Sequence, residues 1–521
     1  MILKNKLYLY LTEFFAGVSV MAVELGASRL LAPYFSSSQI VWTIIIGTIM
    51  IAMALGNLYG GRSADRNPNP AVLYRRIMVA AVWIAAIPFL GRYIILAVSG
   101  LLIFTVSTNF LIIAAFISCM LIFVFPLFLL GTVTPSLVKY TVDSLDDSGE
   151  TVGKLNACNT IGSIIGTFLP TFVTIPAVGT AATFIIFSAI LFIIGALYFI
   201  TEKKFRNVIV FIILFVLFSI LGSGVSFAFW ESGLTYEGES VYNYLQVKDD
   251  DRSTILSTNV LFGVQSVKMK GDGLTGLYYD YDLAAPVMAD NGEKMDILIL
   301  GNCAGTFASQ CVRYFPDSNV EGVEIDGKIT MLAREYFDMP ESVSITEYDG
   351  RAYLECTDRL YDVIQVDAYQ DITIPFQMSS TEFFTLVRDH LKDNGVMVVN
   401  MNMHSSGEGS INEYLCDTID SVFDDVYICD VPGSTNRELF ACRNGDAEEV
   451  LAGKVPAVGD AELRGMLLRI EMEKYDGGEH IMTDDKAPVE VLGMNMIDEL
   501  ISEELAYYKN FTLKELIDSF I

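Results

Sequence analysis

Residues 295–305 read MDILILGNCAG, an apolar run that enters a turn carrying Gly301 and Gly305. A short apolar run bounded by glycine reads as a buried strand followed by a tight turn. Some twenty-three positions after Gly301 the segment VEGVEID supplies a second strand, ending in Glu324. Strand, glycine turn and an acid about twenty residues on is the arrangement with which an open α/β sheet holds an adenosine ribose.

Downstream, the pattern continues as SVSITEYD, YDVIQVD and GVMVVNMN, with helical stretches near Gly305, Gly327–Phe337 and Thr381–Leu391. Apolar strands alternating with amphipathic helices imply a parallel sheet covered on both faces. Upstream, ESVYNYLQVKDD, RSTILSTN and VQSVKMKG alternate like short strands joined by polar turns.

Further upstream the chain changes solvent. Uncharged apolar runs near 7–35, 40–60, 75–98, 108–138, 155–175, 178–200 and 207–229 each suffice for a membrane span. Gly162 and Gly166, four apart, allow helices to approach closely. The expected organisation is a helical membrane bundle of seven spans over 1–229, a small β-rich subdomain over 230–290, and a Rossmann-like, methyltransferase-type α/β domain over 291–521. Within the first span Glu13, Glu24 and Arg29 are ionisable. Such groups mark a cation-related cavity or a Glu–Arg pairing inside a bundle.

Residues 1–229 carry 13 Lys+Arg against 8 Asp+Glu, and the remainder carries 21 against 55. The acidity therefore belongs to the C-terminal part. Such a surface argues against a nucleic-acid partner, which needs clustered Lys and Arg, and favours a cationic small molecule. The eight cysteines and three histidines form no metal-ligand spacing, so no metal site is expected. With seven spans, Lys4, Lys6, Arg62, Arg66, Arg75, Arg76, Lys203, Lys204 and Arg206 share one side, expected to be cytoplasmic. An odd count puts the C-terminal domain outside, whereas eight spans would bring it inside.

Ligands of open α/β sheets bind beyond the carboxyl ends of the strands. Four acids occupy such positions: Glu324, Asp349, Asp367 and, in the following loop, Asp371. Glu324 suits a ribose diol, because a carboxylate accepts two hydroxyl hydrogen bonds. Asp349 with Gly350 suits an adenine amino group. Asp367 and Asp371, with Tyr369 between them, form an acidic patch for an amine. An alkylammonium of pKa about 10 becomes a nucleophile only when a nearby base deprotonates it.

The array ESVYNYLQV (239–247), LILGNCAGT (298–306), VEID (323–326), DG (349–350), YDVIQVDAY (361–369), IPFQMSSTEFF (374–384) and TDDKAPVE (483–490) resembles the spermidine synthase family. More closely it resembles the membrane-fused members, and ELGASRLLAPYFSSSQIVWT (24–43) looks like their first helices. The resemblance implies aminopropyl transfer from decarboxylated S-adenosylmethionine, a co-substrate rather than a bound cofactor, to a polyamine such as putrescine or spermidine. It implies Asp367 as general base, Glu324 and Asp349 on ribose and adenine, and Gly301, Gly305 and Gly350 at the donor. Asn243 stands where soluble members carry a donor-binding glutamine, next to Tyr242. Tyr279 matches the polyamine-lining tyrosine, with Tyr278 as the other candidate, and Asp371 lies one residue later than a second substrate aspartate. A homodimer and a multi-pass plasma-membrane location follow from the same resemblance, and the nucleoside donor argues for a cytoplasmic catalytic domain.

One departure matters. Soluble members read GGGDGG where this chain has Gly301-Asn302-Cys303-Ala304-Gly305-Thr306, so Ala304 replaces the acid that holds the donor's ammonium. A charge-assisted hydrogen bond of that kind is worth roughly 1.5–3 kcal/mol. Two other functions use the same features: a polyamine or nucleoside sensor or transport protein without turnover, and an S-adenosylmethionine-dependent methyltransferase.

Overall fold

The computed structural model describes residues 5–508 apart from 104, 107, 108, 142–147, 205, 225, 232, 261–263, 272, 370–373 and 403–407. The chain divides into two compact units, Met1–Ser232 with Gly238–Tyr244, and Gly233–Glu237 with Leu245–Ile521.

The first unit is helical: α1 (Lys6–Phe35), α2 (Gln39–Arg66), α3 (Pro70–Leu102), α4 (Phe110–Gly131), α5 (Val133–Thr141), α6 (Ser148–Leu169), α7 (Ile175–Thr201) and α8 (Arg206–Gly222). Asn5, Ser38 and Asn69 cap the first three, each side chain accepting a backbone N–H of the first turn. Among the described residues five helical stretches are long and apolar enough to cross a membrane: Lys6–Phe35, Gln39–Arg66, Pro70–Leu102, Phe110–Thr141 and Gly149–Thr201. The expected count of seven is not established. Two of the seven expected runs fall inside the 53-residue stretch Gly149–Thr201. A π turn at Pro170–Thr174 joins them, and the helix breaks at Gly179, with φ 81° and ψ 169°. The last run contains only the shorter helix Val208–Gly222.

Large apolar side chains point outward from this unit, among them Met50, Phe172 and Ile220, each about two-thirds exposed. Such a surface is compatible with a membrane-associated body. Inside, α1 and α6 touch backbone to backbone. A Cβ at Gly162 would lie 2.1 Å from the Phe14 carbonyl oxygen, and one at Gly166 would lie 2.2 Å from that of Val18. Glu13 is fully buried, its Oε1 accepting from Thr134 Oγ1 at 2.6 Å and Asn159 Nδ2 at 2.9 Å. Arg29 instead donates to the carbonyls of Val241 and Tyr242. Glu13 is thus solvated by neutral donors from α5 and α6.

The second unit holds two sheets. Strands β1 (Leu234–Glu239), β2 (Tyr244–Asp249), β3 (Ser253–Ser257) and β4 (Val264–Met269) form one in that order, the end of β1 and the turn to β2 being grouped with the helical unit. The other contains β5 (Asp296–Leu300), β6 (Asn319–Glu324), β7 (Ser344–Glu347), β8 (Tyr361–Val366), β9 (Leu391–Met401), β10 (Val426–Asp430), β11 (Arg437–Cys442) and β12 (Glu473–Tyr475). Its order is β12-β10-β11-β9-β8-β5-β6-β7. Helices α9 (Tyr278–Asp282), α10 (Ala284–Ala289), α11 (Thr306–Tyr314), α12 (Gly327–Tyr336), α13 (Gly350–Cys356), α14 (Thr381–Asp389) and α15 (Ile411–Asp420) cover it.

The pairs β5–β6, β6–β7, β5–β8 and β8–β9 are parallel, as expected. The edge β9–β11–β10–β12 is antiparallel and was not legible in the sequence. Separate apolar clusters fill the two faces, and all six residues of β8 are buried. From β5 the chain runs outward through β6 and β7, then returns to β8 on the other side of β5. That reversal opens a crevice at the carboxyl ends of β5 and β8.

Candidate active site

The crevice is floored by the turn after β5. Gly301 has φ 88°, and a Cβ there would meet the Asp367 carbonyl oxygen at 2.5 Å. Only glycine lets the turn lie against the end of β8. Gly305, at φ 78°, precedes α11 and faces the Met339 side chain. Between them Cys303 also takes a positive φ, of 47°.

Glu324 secures this turn from the end of β6. Its Oε2 accepts the Cys303 N–H at 2.8 Å and its Oε1 the Asp326 N–H at 3.0 Å. Burial pushes its carboxyl up to about 7, against the opposing pull of those N–H groups. Asp349, after β7, caps α13 by accepting the Ala352 N–H on Oδ1 at 2.9 Å. A Cβ at Gly350 would lie 3.6 Å from Leu300 Cβ, so the start of α13 reaches the end of β5. Glu324, Asp349 and Asp367 therefore share one rim of one sheet.

Asp367 follows β8. Its Oδ2 accepts the Tyr278 hydroxyl at 2.7 Å and its Oδ1 the Asn400 amide at 2.8 Å, while Asn400 Oδ1 accepts from Asn436 Nδ2 at 2.9 Å. Burial pushes the Asp367 carboxyl up to about 7, and the two hydrogen bonds act in the opposite sense. A carboxyl near 7 is matched to taking and releasing a proton at neutral pH.

The tyrosine that reaches Asp367 is Tyr278 rather than Tyr279. Tyr279 packs against it with its ring tilted by 35°, centroids 3.9 Å apart, and its hydroxyl points to the Gln265 carbonyl at 3.5 Å. The two are consecutive at the start of α9, so only one faces the rim. The Tyr369 hydroxyl donates to the Asn400 carbonyl and accepts the Asn402 N–H at 3.2 Å, which turns it toward β9. Asp371 lies outside the described residues. Tyr242 and Asn243 sit in the β1–β2 turn, their N–H groups donating to Ser240 Oγ at 3.0 and 2.8 Å. They are grouped with the helical unit.

Residues 277–438 match the model of the spermine/spermidine synthase domain. A probable polyamine aminopropyl transferase of Bifidobacterium longum (strain NCC 2705) is 52% identical over 339 residues, covering 61% of this chain and 76% of that protein. The chain belongs to the polyamine aminopropyltransferase family. A polyamine aminopropyltransferase of Vibrio vulnificus (strain CMCP6) is 24% identical over 296 residues, 53% of this chain and 97% of that one. A solved probable spermidine synthase from Corynebacterium glutamicum ATCC 13032 aligns with a TM-score of 0.36 at 21% identity, over 48% of this chain and 98% of that one.

Ala304 stands where the resemblance to soluble members implies an acid, and the fold shows what surrounds it. Ala304 is buried in an apolar cluster with Leu245, Val247, Leu332 and Phe337. Its methyl is core, and no carboxylate stands in at that position. The TDDKAPVE segment has a fastening role: Asp484 receives both guanidinium nitrogens of Arg351 at 2.7 Å and the Ser380 hydroxyl at 2.6 Å, tying α13 to the start of α14.

Four participants escaped the sequence reading: Asn400, Asn436, Asp282 and Glu438. For Asn400 and Glu438 the signal was present, since an Asn ends the apolar run VMVVN and a Glu interrupts RELFAC. Glu413, Asp417 and His480 also converge, with ligand atoms within 4.8 Å. The Asp417 oxygens already accept Tyr475 OH, Gly478 N–H and His480 N–H, which anchors the loop to α15.

Proposed function

We propose that the enzyme moves an aminopropyl group from decarboxylated S-adenosylmethionine to a polyamine such as putrescine or spermidine, releasing methylthioadenosine, and does so as an integral membrane protein. The observation that carries the reading is Asp367, held by Tyr278 and Asn400 where the strand order reverses. Asp367 takes a proton from the acceptor's ammonium. The freed lone pair attacks the carbon attached to the sulfonium, a C–N bond forms, the C–S bond breaks, and sulfur leaves with the bonding pair as a neutral thioether. The net yield is one proton per transfer, so Asp367 must be reset each cycle.

Glu324 then binds the ribose diol, Asp349 and Gly350 the adenine, and Gly301 and Gly305 admit the donor close to the backbone. Tyr278, packed against Tyr279, lines the acceptor channel together with Tyr369. The bundle is held in the lipid bilayer of the plasma membrane, the protein is a homodimer, and the catalytic unit faces the cytoplasm, where a nucleoside donor is made. Protease accessibility in sealed vesicles tests that side.

The decisive experiment incubates the full chain in detergent with decarboxylated S-adenosylmethionine and putrescine or spermidine and measures methylthioadenosine. Product that vanishes in Asp367→Asn supports the reading, and product unaffected by that change removes Asp367 from its role. Release of S-adenosylhomocysteine from the undecarboxylated compound would instead indicate methyl transfer. Ala304 favours one second reading, a binding protein without turnover. Ligand binding with no methylthioadenosine would establish it.

A further inference from the structure

Behind Asp367 lies a polar row that the transfer reading does not use. Asn400 on β9 pairs with Glu438 on β11, and extending the β8–β9 register by one sets Asp367 beside Asn400. Residues opposite one another across a sheet share a face, so Asp367, Asn400 and Glu438 form one line. Gln365, two before Asp367, shares that face as well. Helix α9 covers the line. Tyr278 reaches Asp367, and Asp282, one helical turn on, accepts the Gln365 amide on Oδ2.

Glu438 and Asp282 are both fully buried and interact directly. Neither Glu438 oxygen nor Asp282 Oδ1 has a donor among the described residues. Three buried acceptor atoms without a donor are costly. Two touching carboxyls resolve this by keeping one proton between them, since both cannot stay ionised without a counter-charge.

Resting on the transfer reading above, we propose that Asp282 and Glu438 are a positioning pair for Asp367, holding one shared proton and presenting one fixed negative charge to the base. Burial raises both carboxyls above the ordinary range. Asp282 accepts the Gln365 amide whereas neither Glu438 oxygen has a donor among the described residues, so the proton belongs on Glu438 and Asp282 carries the charge. That charge faces Asp367 and favours its protonated state until an ammonium enters the crevice. The other titratable groups around this line are Tyr278, Tyr279 and Asp280 on α9, Cys303 in the turn, Cys311 on α11, Cys429 on β10 and Tyr369.

Shared-proton pairs have an unusual genetics. Asp282→Asn and Glu438→Gln each leave one carboxylate with a neutral partner, so the charge survives either change and only the double variant abolishes it. The test is the pH dependence of methylthioadenosine formation by the full chain. Each single variant is expected to leave the acid limb in place, and the double variant to move it down by about one unit. Equal, additive shifts from the singles, or an unmoved limb in the double, would overturn the pairing. Infrared difference spectra at pH 9 give a readout independent of turnover: a buried protonated carboxyl band present in the wild type and lost in Glu438→Gln supports it. Absence of that band in the wild type refutes it. A wild type that makes no methylthioadenosine would sink the transfer reading while leaving the infrared result to decide the pair.

Discussion

Two buried carboxylates, one in each unit, have nearly the same immediate solvation and opposite consequences. Glu13 takes a Thr134 hydroxyl and an Asn159 amide in the helical unit, and Asp367 takes a Tyr278 hydroxyl and an Asn400 amide in the sheet unit. The donors are neutral in both cases, meeting both oxygens of Asp367 and only Oε1 of Glu13. Glu13 lies in mid-helix, enclosed by α5 and α6, so its donors act as fastenings between helices. Asp367 lies where β8 has ended and the loops part, so its proton can be exchanged with a ligand. On the proposed reading, placement at the end of a strand, rather than hydrogen bonding, distinguishes the base from the strut.

The comparison breaks most visibly at Asp367. Asp367→Asn should lower kcat by about 10²–10⁴-fold with little change in thermal midpoint. A variant that retained its rate would place the base elsewhere. The wild-type pH profile comes next. Because the Asp367 carboxyl is raised to about 7, its basic form is present above that value and lost as pH falls through it. The rate should drop about tenfold per unit on the acid side. A limb near the ordinary carboxylate range would contradict the burial argument.

Backbone approaches in the two units should respond alike in stability. Gly301→Ala forces a side chain into a positive-φ turn against the end of β8, and Gly162→Ala forces one into the α1–α6 contact. Each should cost about 1–3 kcal/mol in denaturant titrations. Gly301→Ala should also raise the donor KM, whereas Gly162→Ala should leave it alone. The smallest effect belongs to Glu13→Gln, which keeps an acceptor for Thr134 and Asn159. It should change the thermal midpoint by no more than about 1 kcal/mol of stability and leave methylthioadenosine formation intact. A loss of activity there would erase the contrast.

Local pattern carried the architecture a long way. The alternation of MDILIL, VEGVEI, SVSITE and YDVIQV with helices determined the parallel half of the sheet, because period and length are properties of short segments. Glycine spacing at Gly162 and Gly166 announced the close helix contact for the same reason. Glu324, Asp349 and Asp367 were legible since each ends a strand, and strand ends of such a sheet meet at one rim.

What composition and spacing could not supply depends on non-local partners. The choice of Tyr278 over Tyr279 turns on which of two consecutive residues α9 directs at the rim, and that is set by how α9 packs. The Asp367–Asn400–Glu438 line exists because β11 inserts antiparallel beside β9, a pairing between segments some forty residues apart. Ala304 became core because the β1–β4 sheet supplies Leu245, Val247 and Leu256 to cover it. The sequence by itself determined which elements form and which acids end them, through short-range sterics and burial. Only the tertiary structure decided which carboxyls face one another, since the contact between Asp282 on α9 and Glu438 on β11 has no counterpart along the chain.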